Sequence, residues 1–159
     1  MFRENVIEKL VNDLAAKEDA DLNTTINNMD EQQRKALSKH IKEKLPLYRK
    51  GAAYAINVLK EKLHLSTDEE AHRFLTTIAE HGIDYLLDPE KSNLSGIPIS
   101  LSIARCIVDN DIKKATINLA REYTVINKKI NDVCKISSIL TPKLALENCA
   151  HKHKSCLIL

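Results

Sequence analysis

Ser66-Thr67-Asp68-Glu69-Glu70-Ala71-His72-Arg73-Phe74-Leu75-Thr76-Thr77-Ile78-Ala79-Glu80-His81-Gly82 is the stretch whose reading decides the fold. Ser66 can accept a hydrogen bond from the Glu69 amide while Glu69 reaches back, which is the reciprocal arrangement that opens a helix. Ala71, Phe74, Leu75 and Ile78 then repeat at helical spacing, and Gly82 supplies a stop. The same period recurs on both sides. Val6, Ile7, Leu10, Val11 and Leu14 predict a helix from Arg3 to Lys17, followed by a polar connector from Asp19 to Asn27. Asn28-Met29-Asp30-Glu31 has a capping-box layout, with Leu37, Ile41 and Leu45 behind it until Pro46 ends or kinks the run. A third helix buries Tyr48, Ala52, Ala55, Ile56, Leu59 and Leu63.

Beyond Gly82 the chain reads as a short helical turn and a loop from Ile83 to Pro98, then helices from Ile99 to Val108 and from Ile112 to Asp132. The last of these is expected to bury Leu119, Ala120, Tyr123, Ile126 and Ile130. Thr141-Pro142 fits an N-cap with proline at the first helical position, so a short helix through Leu144 and Leu146 closes the domain. With 3 Gly, 4 Pro and no Trp, few positions could form hairpin turns. The expectation is an all-α fold, a compact bundle of about six to eight helices. It forms one domain over residues 1–148, followed by a flexible C-terminal tail over 149–159.

Composition narrows the function classes. The chain is 43% hydrophobic and 29% charged, the balance of a globular protein. Its formal charge of +2 is uneven: residues 1–110 hold 15 Lys and Arg against 18 Asp and Glu, whereas residues 111–159 hold 9 against 4. A basic C-terminal end suits an anionic membrane surface. Nucleic acid fits poorly, because aromatics are only 4%, no binding motif is present and the pI of 8.3 is modest. Met1-Phe2-Arg3-Glu4-Asn5 leads into a charged amphipathic segment, so no secretory signal is predicted. The longest apolar stretch, Gly96 to Val108, is broken by Ser100, Ser102 and Arg105 and is too short to span a bilayer. Cys106, Cys134, Cys149 and Cys156 show no paired spacing, which points to free thiols in a reducing compartment.

Enzyme signatures are sparse. There is no phosphate-cradling P-loop, dinucleotide fingerprint, His-Glu-Xaa2-His or nucleophile elbow. Glu69 and His72 form a Glu-Xaa2-His step, but a di-metal bundle needs a second copy, so an ion pair of His72 with Asp68 or Glu69 at a helix N-terminus is the expectation. His40, His64 and His81 read as surface residues, and Cys106 beside Ile103 and Ile107 reads as a buried, inert thiol. Cys149, His151, His153 and Cys156 lack the spacing of zinc ligand pairs, and the interleaved lysines oppose a cation. No catalytic residue, metal or cofactor is assigned.

Cys156-Leu157-Ile158-Leu159 is the sharpest feature. A protein prenyltransferase needs a thiol four residues from a free carboxylate, two aliphatic residues for its pocket and a last residue that selects the isoprenoid; a final Leu favours geranylgeranyl. Lys152 and Lys154 add positive charge worth about 2 kcal/mol at an anionic surface, and Cys149 offers a second acylation site. The box resembles that of eukaryotic CaaX proteins. Lys outnumbers Arg 18 to 6 and Ile and Asn are abundant, a bias of AT-rich bacterial genomes. A bacterial-looking chain with a host lipidation signal resembles the Dot/Icm-type secreted effectors that borrow host prenyltransferases. That resemblance implies a lipid-anchored module on the cytosolic face of a host membrane, with a geranylgeranyl-type prenyltransferase, the membrane surface and an unidentified protein as partners. Two other readings stay open: a small helical enzyme using a thiol or the Glu69/His72 pair, and a helical adaptor whose terminal box is fortuitous.

Overall fold

The computed structural model describes the backbone of residues 4–88, 90–91 and 101–157, and the side chains of residues 5–88, 90–91 and 103–146. Among these residues all regular structure is helical: α1 (Glu4–Ala15), α2 (Asp19–Asn28), α3 (Glu31–Leu63), α4 (Asp68–His81), α5 (Ile83–Leu87), α6 (Leu101–Ile107) and α7 (Asn110–Leu157). The protein is all-α, as its periodicity predicts. The chain divides into two compact units. One joins Met1–Leu47 to Lys129–Leu159, and the other is the continuous stretch Tyr48–Lys128.

In the discontinuous unit the core is built from Ile7, Val11 and Leu14 of α1, Leu22 and Ile26 of α2, Leu37 and Ile41 of α3, and Val133, Ile136 and Leu140 of α7, all buried. The expected polar connector at 19–27 is instead the helix α2. Its apolar stripe is only Leu22 and Ile26, one turn apart and both at 0% exposure, so average polarity hides an inward face. Asp19 and Asp21 favour its first turn, and the Thr24 and Thr25 hydroxyls donate back to the carbonyls of Ala20 and Asp21.

Neither α1 nor α2 has a basic residue in its last turn. Each takes its terminal cation from elsewhere. Lys135 of α7 donates to the Lys17 carbonyl at 2.7 Å and to the Ala15 carbonyl at 3.4 Å, and lies 3.9 Å from the Asp19 carboxylate at the start of α2. Arg34 of α3, buried, donates to the carbonyls of Met29 and Ile26 at the end of α2. A cation there satisfies carbonyls with no intrahelical partner and opposes the negative end of the helix dipole.

Two proline expectations are corrected. Pro46 lies inside α3 and Pro142 inside α7, so no helix ends at the first and none begins at the second. Both prolines are exposed, as are Lys42 and Ser138 four residues before them, so the carbonyl each ring displaces lies on a face open to water. The helix α7 continues past residue 148, where the sequence reading sets the start of the tail. The box that opens α3 begins at Asp30 instead of Asn28: Asp30 Oδ1 accepts from the Gln33 amide at 2.8 Å while Gln33 Oε1 accepts from the Asp30 amide at 3.2 Å. His40, expected at the surface, is buried, since it shares a face with Leu37 and Ile41.

The continuous unit packs Ala55, Ile56, Leu59 and Leu63 of α3 against Ala71, Phe74, Leu75 and Ile78 of α4, with Ile83 and Leu86 of α5, Ile107 of α6 and Leu119, Ala120 and Tyr123 of α7. Cys106 is half-buried and packs against this core. The expected cap of α4 moves by one residue: Thr67, not Ser66, accepts from the Glu70 amide, at 3.1 Å, and Ser66 turns its hydroxyl to the Glu70 carboxylate. Asp109 opens α7 by accepting from the amides of Asp111 and Ile112. The part of the expected loop from residue 92 to Pro98 lies outside the described residues.

Positive φ occurs at the C-terminal ends of both α3 and α4, with different residues. His64 (φ 54°) follows the last residue of α3, and the Leu65 amide donates back to the Lys60 carbonyl at 3.0 Å while Leu65 is buried. This is a Schellman ending with histidine where glycine is usual. Gly82 (φ 83°) ends α4, and no atom lies within 4 Å of the point a Cβ would occupy there. His64→Gly is therefore expected to raise the free energy of unfolding by about 1 kcal/mol and Gly82→Ala to lower it by about the same amount. Urea denaturation followed by circular dichroism checks both.

Candidate functional site

The sequence places its candidate site at the C-terminus. The backbone of α7 carries the chain through Leu157. The side chains of Cys149, Lys152, Lys154, Cys156 and Leu157, and all of Ile158 and Leu159, lie outside the described residues. What is described is the surface from which this segment leaves: Leu144, half-buried, and Leu146, 70% exposed.

Leu144 lines a groove of about 490 Å³ in the discontinuous unit, together with Lys35, Ser38, Lys39, Lys42 and Glu43 of α3. Lys35, Lys39 and Lys42 are spaced four and three residues apart and share one helical face. Lys35 is 3.1 Å from the Glu31 carboxylate, but both side chains are well exposed, so the pair leaves most of the lysine's charge available. Lys39 and Lys42 are exposed and form no ion pair among the described residues. The groove is a basic surface with one leucine in its wall. Sequence reading missed it, although the 35/39/42 spacing was visible; Leu144, more than a hundred residues away, was not.

The continuous unit contains a polar constellation. The Tyr123 hydroxyl is hydrogen-bonded to His72 Nδ1, and their rings meet edge to face, with centroids 5.6 Å apart and planes at 75°. Burial pushes the Tyr123 phenol above its ordinary value of 10.0, and a hydrogen bond with the Asn127 side chain opposes that shift. The expected ion pair of His72 with Asp68 or Glu69 is not what forms: Asp68 bonds Lys60 at 2.8 Å, and Glu69 bonds Arg73 at 2.7 Å. One turn of helix offered His72 acidic neighbours, but arginine and lysine took both. Tyr123, 51 residues away, carried no sequence signal as its partner.

A shallower apolar groove of about 370 Å³ is lined by Arg121, Glu122, Val125 and Ile126 of α7. Among the described residues, no three His, Cys, Asp or Glu side chains converge as metal ligands. None of the described helices is long and apolar enough to cross a membrane. No protein-family model, curated protein or solved structure matches the chain.

The raised phenol has a pH consequence. Below about pH 10 Tyr123 is protonated whether folded or unfolded and contributes no pH dependence. As the pH rises past 10 the unfolded chain ionises first, so stability falls until the folded phenol ionises too. Tyr123→Phe is expected to remove this component of the alkaline loss, which thermal melts across the range of about pH 9 to 11 would detect. At neutral pH the same substitution is expected to cost about 1 kcal/mol through the lost bond to His72.

Proposed function

We propose that this chain is a lipid-anchored helical interaction module, geranylgeranylated at Cys156 and held at the cytosolic face of a membrane, in the manner of bacterial effectors lipidated by their hosts. The observation that carries the reading is Cys156-Leu157-Ile158-Leu159, which supplies thiol, aliphatic pair and selecting leucine in the order the transferase requires. The reading requires that Leu159 bear the free carboxylate. Lys152, Lys154 and Cys149 support it, because one hydrophobic chain gives only reversible binding and a second signal makes attachment stable. The helical body then serves as a platform for a protein partner. An enzymatic role for Glu69 and His72 gains no support, since each is bonded to a different residue.

Expression of the full chain in eukaryotic cells tests the proposal. Mass spectrometry is expected to find a geranylgeranyl group on Cys156 with Leu157 to Leu159 removed, and fractionation to place the protein with membranes. Cys156→Ser should move it to the cytosol, and Cys149→Ser should leave it only loosely held. Unmodified wild-type protein that fractionates like Cys156→Ser would refute the reading.

A further inference from the structure

Building on the lipid-anchored reading, we propose that the groove of Lys35, Ser38, Lys39, Lys42, Glu43 and Leu144 is the face by which the anchored chain meets an anionic lipid bilayer. Among the described residues the groove holds three lysines against the one carboxylate of Glu43, and Lys39 and Lys42 have no ion-pair partner there. Lysine ammonium groups on long stems reach outward from a surface, and their rotatable point charges suit a diffuse negative field better than the forked geometry of one bound headgroup. Arginine, which would supply such a fork, is absent from the groove lining among the described residues. Leu144 in the wall adds apolar surface where a bilayer boundary would receive it.

The position along the chain fits the same occupant. Cys156 lies twelve residues beyond Leu144. Within α7 that segment spans about 18 Å, so a lipid on Cys156 and the lysine face can engage one membrane. Charge also decides in its favour. Lys152 and Lys154 alone fall short of the cluster of about four to eight basic residues that marks recognition of anionic lipid, whereas adding Lys35, Lys39 and Lys42 brings the total into that range. The groove thus adds to the attachment signals of the tail and fixes which side of the discontinuous unit faces the lipid.

The test uses the full chain in its prenylated form and as Cys156→Ser, each sedimented with phosphatidylcholine vesicles with and without phosphatidylserine. Both forms are expected to partition more strongly onto the phosphatidylserine vesicles, with the excess lost at high salt. The triple variant Lys35→Gln/Lys39→Gln/Lys42→Gln should lower that excess by about 100-fold, while leaving partition onto neutral vesicles unchanged. Lys50→Gln/Lys62→Gln/Lys114→Gln removes the same charge from exposed positions of the other unit and should have little effect. Equal loss in both triple variants, or no preference for phosphatidylserine, overturns the proposal, as does retention of an anionic polynucleotide in place of vesicles. Because the Cys156→Ser chain reports on the lysine face without a lipid, failure of the groove is distinguishable from failure of prenylation, which the mass of Cys156 reads separately.

Discussion

Two short helices that cannot finish themselves set the organisation of the discontinuous unit. Helices α1 and α2 have 12 and 10 residues, lengths at which an isolated helix is marginal in water. Both end without a cation of their own. Lys135 and Arg34 supply the missing charge, and in doing so they fix α7 and α3 against the chain reversals at residues 16–18 and 29–30. Burial of Leu14, Leu22 and Ile26 provides the apolar gain, and the two cations relieve the polar cost of ending a helix beside a core. The groove depends on this arrangement. Leu144 lies nine residues past Lys135, about 14 Å along the same helix, so the contact that secures the end of α1 also sets the register that brings Leu144 beside Lys39 and Lys42.

The continuous unit solves its helix ends locally. Leu65 folds back over the end of α3, Thr67 caps α4, Gly82 stops it and Asp109 opens α7. Such a unit can hold a polar pair at the margin of its apolar shell, with Tyr123 buried and His72 exposed. His72 and Tyr123 form that pair, and the buried Thr116 hydroxyl of the same unit is satisfied separately by the Ile112 carbonyl.

Most of the α4 region was legible because three signals coincide there: a capping residue, an apolar stripe and a glycine stop. The stripes of α3 and the 119–123 segment of α7 were legible for the same reason. What the sequence obscured was context. α2 carries only two apolar residues in its stripe, and their complete burial depends on neighbours that no local window contains. Pro46 and Pro142 carry strong helix-breaking signals, yet both stand on outer faces, where a displaced carbonyl can turn to water. Thr67 displaced Ser66 as the cap because the turn through His64 and Leu65 sets where the helix begins. The terminal box was legible as a chemical motif, whereas the basic groove was half legible: one wall is periodic and local, and the other comes from the opposite end of the chain.

The division of the chain also bears on the order in which it can be completed during synthesis. Residues 48–128 form one compact unit from a single stretch, so its contacts can close as soon as that stretch has left the ribosome. The other unit pairs residues 1–47 with residues 129 onward, and its N-terminal helices must wait, with Leu14, Leu22 and Ile26 uncovered, until α7 emerges. Closing so long a loop is slow when the intervening chain is unstructured, and prior folding of the middle shortens the effective separation. The last residues needed to complete that core immediately precede the tail that bears Cys156. Assembly of the lysine groove, whose wall includes Leu144, is thereby deferred until α7 has emerged.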